Sequence, residues 1–177
     1  MRASDFQLRK ASSADLDAFY GLFAQVQSIH ADAEPKFFRP PEKDETFQQY
    51  FEGILGDPDQ HLLFACLDGV EVGFVQFFLG LRPRSIFRPE RRVVYIHGLV
   101  VNEEHRRTGC AAMLIEHVKQ AARQEDIALL GVDFWSFNNA ARACFEKAGF
   151  KVSQEFMWLI PTSINRNPWP IAAVRWT

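Results

Sequence analysis

The chain alternates between apolar runs of two kinds. Short runs with two-residue alternation or continuous apolar character mark strands, and longer runs with spacing near 3.6 mark helices. Phe6 to Arg9 alternates and predicts a first strand. Ser13 or Asp15 is then placed to cap a helix in which Leu16, Phe19, Tyr20, Phe23, Val26 and Ile29 share a face. A loop with Pro35, Pro40 and Pro41 follows from Ala31 to Lys43, then a second helix from Glu45 to Leu55, stopped by Gly56-Asp57-Pro58.

His61 to Leu67 and Val70 to Leu79 are apolar and flank Asp68-Gly69, a strong hairpin signal. Gly80 to Arg92 reads as irregular and rich in arginine, and Val93 to Val101 as a strand interrupted by Gly98. Ala111, Leu114, Ile115, Val118 and Ala122 carry helical spacing within Thr108 to Glu125. Ile127 to Trp135 predicts a buried strand, and Asn138 to Ala148 a helix ended by Gly149. Phe156 to Ile160 and Ile171 to Trp176 are candidates for two last strands. This order predicts one α/β domain over 1–177, with about four helices on a mixed, mostly antiparallel sheet of six to seven strands. Residues 161–177 are expected to be its C-terminal loop, with a candidate last strand.

Composition narrows the function. At 177 residues the chain suits one core, and 17 Phe with 4 Trp supply it. A net charge of −2 gives no general attraction to nucleic acid. No apolar run approaches the roughly 20 residues of a membrane span, and the N-terminus lacks a secretory pattern. Cys66, Cys110 and Cys144 are odd in number and widely spaced, so free thiols in a reducing cytoplasm are expected. The five His show no metal-ligand spacing, and no metal is expected.

The chemistry concentrates in Val100-Val101-Asn102-Glu103-Glu104-His105-Arg106-Arg107-Thr108-Gly109-Cys110-Ala111. A strand runs through a basic, glycine-containing turn into a helix. The first turn of a helix offers unpaired N–H groups to an anion, and Gly109 lets backbone approach a phosphate. The plain alternative is an ordinary helix start with two arginines before it. Walker-type and dinucleotide glycine fingerprints are absent.

Arg106-Arg107-Thr108-Gly109-Cys110-Ala111 resembles the acyl-CoA pyrophosphate loop, Arg/Gln-x-x-Gly-x-Gly/Ala, of the GCN5-related N-acetyltransferases. Downstream, Asn138, Ala141, Glu146, Lys147, Gly149 and Phe150 fall in register with the family's Asn-x-x-Ala-x-x-x-Tyr-Glu-Lys-x-Gly-Phe. The element order is similar from Phe6 to Trp176. The resemblance implies a sheet splayed at the motif strand. It implies acetyl-CoA as co-substrate, with its pyrophosphate on the N–H groups of Arg107, Thr108, Gly109, Cys110 and Ala111 beside Arg106. The pantetheine would pair along Leu99, Val100 and Val101, and Asn138 would reach the CoA arm. One departure stands out: Phe145 occupies the position of the family's Tyr, a frequent proton donor.

An amine of pKa about 10.4 must lose a proton before it attacks. His97 is the first candidate base, with a structural histidine as the alternative, and Tyr95 is placed on the same strand face. Asp133 and Trp135 share a face of the following strand and border the acceptor site, although core packing also accounts for Trp135. His30 and Phe37-Phe38-Arg39-Pro40 are acceptor-pocket candidates. Arg82, Arg84, Arg88, Arg91 and Arg92 read as a solvated loop, or as a patch for an acidic acceptor or the nucleotide 3′-phosphate. The expected activity is direct acetyl transfer from acetyl-CoA to an amine of a small molecule or peptide. The alternative is a non-catalytic acyl-CoA sensor, which Phe145 favours. Trp169 and Trp176 make the tail a candidate dimer contact, or the closing strand of its own subunit.

Overall fold

The computed structural model describes residues 5–159. β1 (Gln7–Lys10) leads into α1 (Leu16–Ala33), whose entry is held by a capping box in which Ser12 and Asp15 reciprocate. α2 (Glu45–Gly56) starts where Asp44 accepts from the Phe47 N–H at 2.9 Å. β2 (Gln60–Leu67) and β3 (Val70–Arg82) form the hairpin expected at Asp68-Gly69, both residues adopting positive φ. β4 (Arg91–Val101), α3 (Cys110–Gln124), β5 (Leu130–Val132) and α4 (Asn139–Lys147) complete the described elements.

The sheet order is β1-β2-β3-β4-β5, antiparallel except for the parallel β4–β5 pair. α1 and α2 cover one face. Phe19, fully buried, sits there among Phe47, Phe51 and Phe74 with ring centroids 4.9–5.6 Å apart. α3 and α4 cover the other face over Val75, Phe77, Val94 and Ile96. Lys119 joins those two helices by donating to the Ala148 carbonyl at 2.6 Å, where α4 ends. No helix among the described residues is long and apolar enough to cross a membrane.

Several expectations are corrected. The described sheet has five strands, not six to seven. Residues 156–159 form no strand, and Ile160, Ile171–Trp176 and the tail with Trp169 lie outside the described residues. The strand expected over Ile127 to Trp135 shrinks to Leu130–Val132. Ile127 packs in the core beside α3, and its N–H bonds the Ala122 carbonyl at the end of that helix. Asp133 and Trp135 therefore do not share a strand face. Conversely, β3 and β4 extend into the arginine-rich segment and leave only 83–90 irregular.

Candidate functional site

Gly98 interrupts β4 as a bulge. Gln76 of β3 pairs with Gly98 while Phe77 pairs with Ile96, so His97 is the extra residue. The consequence is a change of phase. Ile96 packs toward α3, and so do Leu99 and Val101, whereas Val100 packs toward α1 and α2. Tyr95, His97 and Gly98 thus all face the α1–α2 side. The Tyr95 and His97 rings lie 5.3 Å apart.

A polar group gathers around this pair. The Tyr95 hydroxyl donates to Asp133 Oδ1 at 2.7 Å. Gly131 makes room for that ring, since a Cβ there would stand 2.8 Å from Tyr95 Cδ2. Desolvation and the Asp133 carboxylate push the Tyr95 phenol up to about 12. It is therefore a held proton donor, not a base. Partial desolvation lowers the His97 pKa, nearby Arg82 lowers it further, and Asp133 opposes both. His97 is thus neutral at neutral pH and able to accept a proton. Buried Gln76 accepts from the Tyr50 hydroxyl at 2.8 Å beside Gly98, whose would-be Cβ lies 4.0 Å from Gln76 Oε1. Tyr50 and Gln76 carry no local sequence signal, because tertiary packing alone brings them to the bulge.

β4 pairs β3 along its whole length but meets β5 only from Val94 to Ile96. Among the described residues no strand covers the outer edge of Gly98 to Val101. Pairing stops where the short β5 ends, and this leaves an extended backbone edge open to an added partner.

That edge leads to the turn before α3. Arg107 and Gly109 have φ of 63° and 95°. Thr108 Oγ1 donates to the His105 carbonyl at 2.6 Å, and Arg106 Nε donates back to the Val101 carbonyl at 3.3 Å. The first intrahelical bond is Met113 N–H to Gly109 O, so Cys110, Ala111 and Ala112 have no helical acceptor for their N–H groups. Gly109 is the N-cap and has no side chain to satisfy them. Cys110 is buried against Gly73, and burial pushes its thiol up to about 11, which rules it out as a nucleophile at neutral pH. A cavity of about 650 Å3 lies between α1 and this turn, lined by Gln25, Ile29, Asn102, Glu103, Glu104 and Arg106. These features fit a pyrophosphate on the turn and an amide-bearing arm along β4.

Asn138 is the N-cap of α4. Its Oδ1 accepts from the Ala141 N–H at 2.9 Å, which leaves only its two N–H donors for a ligand. Phe145 is buried, stacked on Phe134 at 5.9 Å and edge-on to Phe150 at 5.5 Å. Trp135 is half-buried, outside the main core. It contacts Phe38 at 4.8 Å and Phe37 at 5.3 Å, while His30 meets Phe38 at 4.9 Å. The α1–α2 loop therefore closes on the segment that follows β5.

Residues 23–150 match the acetyltransferase (GNAT) family. No curated protein sequence matches the chain. Among solved structures, the tetramutant BH1408 protein of Bacillus halodurans superposes with a TM-score of 0.80 at 19% identity, over 88% of this chain and 99% of that chain. AAC(6')-Iy, in complex with the bisubstrate analogue CoA-S-monomethyl-acetylneamine, gives 0.69 at 19% identity, over 89% and 99%. The aminoglycoside antibiotic 6'-N-acetyltransferase AAC(6')-Ih of Acinetobacter baumannii gives 0.68 at 16% identity, over 89% and 99%. At these identities the likeness is one of fold.

Proposed function

Because this chain belongs to the acetyltransferase (GNAT) family, we propose that it moves an acetyl group from acetyl-CoA to a primary amine by direct transfer in a ternary complex. One observation carries the reading: the uncapped turn at Gly109 and the open edge of β4 form one continuous path that ends beside His97.

Bound acetyl-CoA supplies an activated acetyl thioester. The N–H groups from Arg107 to Ala111 hold its pyrophosphate, with Arg106 alongside. Leu99, Val100 and Val101 orient the pantetheine through backbone hydrogen bonds, and one N–H of that edge polarises the thioester carbonyl. Asn138 offers its side-chain N–H groups to the arm.

His97 accepts the proton that the amine gives up as its nitrogen bonds to the acetyl carbon. The carbon–sulfur bond breaks as that bond forms, and the electron pair leaves with sulfur. A thiolate whose acid has a pKa of about 8.5 leaves without full protonation, so Phe145 does not forbid the reaction. Tyr95 orients the acceptor or donates a hydrogen bond, since its phenol stays protonated.

The test is release of CoA thiol across a panel of small amines and peptides, for the wild type and His97→Ala. A catalyst loses rate in the variant while its acetyl-CoA affinity stays intact. Phe145, buried where relatives place a donor, favours a second reading as a non-catalytic acyl-CoA sensor. A sensor binds acetyl-CoA and releases no thiol with any amine.

A further inference from the structure

We infer that the amine acceptor carries a carboxylate and an apolar body of about aromatic size, in the manner of an amino acid with a bulky side chain, and that Arg82 takes the carboxylate. This rests on the acetyl-transfer reading above and specifies its second substrate.

Phe78 of β3 stands opposite Tyr95 of β4. The Arg82 guanidinium reaches back over the Phe78 ring, 4.8 Å from its centroid. Arg82, Phe78, Tyr95 and His97 therefore form a continuous strip on the α1–α2 face, which those helices leave partly open. Arg82 has no carboxylate partner among the described residues. By contrast Arg92, on the same hairpin, is paired with Glu125 at 3.0 Å. An exposed guanidinium stacked on an aromatic ring is pre-organised to accept a carboxylate in its plane.

The excess of arginine along the hairpin disfavours the opposite choice. Two carboxylates border the strip: Asp133, which the Tyr95 hydroxyl occupies, and Asp59, whose Oδ2 lies beside Phe78 at Gly80. Arg84, Arg88 and Arg91 follow Arg82 along the hairpin against a single acid, Glu90. A polyamine or an aminoglycoside carries several positive charges and would meet a net positive rim here. Glu103 and Glu104 lie beyond the far end of β4, beside the phosphate-binding turn.

The third part of the acceptor is set by the wall. Trp135 follows Asp133 by two residues and is flanked by Phe37 and Phe38 from the α1–α2 loop. Such a wall buries a flat apolar group well. The amine then sits between the carboxylate and this body, where His97 can reach it.

The test compares kcat/KM at saturating acetyl-CoA for phenylalanine, phenylalaninamide, phenethylamine and spermine, in the wild type and in Arg82→Gln. The wild type is expected to favour phenylalanine over both uncarboxylated analogues by at least about tenfold, the ratio one charge-assisted hydrogen bond supports. Arg82→Gln should bring that ratio near one and leave acetyl-CoA affinity unchanged. Preference for spermine or phenethylamine, a ratio that survives Arg82→Gln, or no turnover of phenylalanine with acetyl-CoA still bound would each overturn the acceptor class alone. Failure to bind acetyl-CoA would instead overturn the acetyl-transfer reading, and the acceptor class with it.

Discussion

The Tyr95 hydroxyl donates to Asp133 Oδ1 across 2.7 Å, tying β4 to the first residue beyond β5 where the two strands part. The bond exists because Gly131 leaves space for the ring. Gly131→Ala would force the ring aside and is expected to lower kcat while leaving the acetyl-CoA dissociation constant within about twofold. Tyr95→Phe removes the bond but keeps the ring, and should cost about three- to tenfold in kcat/KM. Steady-state kinetics with calorimetric binding checks both. Unchanged rates would remove Tyr95 from the site.

His97 sets the pH dependence. Its pKa lies below the ordinary 6.5, so the base form already dominates at neutral pH. The log of kcat/KM should rise as pH increases from the acid side and level off below neutrality. Arg82→Gln removes a lowering influence and should move that limb to higher pH. Asp133→Asn removes a raising influence and should move it to lower pH. His97→Ala should abolish the limb and cost on the order of a hundredfold in rate. Limbs that shift in the same direction in the two variants would contradict the assignment.

Phe145 belongs to the core, and restoring the family's tyrosine should not restore a proton donor. Phe145→Tyr adds a hydroxyl to a buried ring packed on Phe134 and Phe150. A buried hydroxyl without a partner costs about 1–3 kcal/mol. Chemical denaturation should show a loss of that size, and kcat should not rise. A faster Phe145→Tyr enzyme would mean that this position faces the leaving sulfur after all.

Legibility in the sequence followed the range of the interaction. Helices with local signals were readable: Asp15 at the start of α1, Gly149 at a C-terminus, and periodic apolar faces between such ends. The turn into α3 was readable for the same reason, because Arg106 to Ala111 are contiguous. Gly98 announced a bulge, but its effect on facing required the partner strand, since only the Gln76 and Phe77 register reveals His97 as the extra residue. The long strand expected at Ile127 to Trp135 failed because its two ends are apolar for other reasons. Ile127 closes α3, and Trp135 meets the α1–α2 loop. The Tyr50–Gln76 contact depends on a distant pairing that no local pattern encodes.

In the proposed function, the turn at Gly109 holds the acyl-CoA pyrophosphate. Its most direct test is calorimetric titration of acetyl-CoA into the wild type and into Gly109→Val, with circular dichroism to confirm that both are folded. Gly109 adopts φ of 95°, which a β-branched residue resists. The account predicts binding in the range of roughly 1 μM to 1 mM for the wild type and a loss of at least about tenfold in the folded variant. No binding by the wild type, or equal binding by the two proteins, would contradict it.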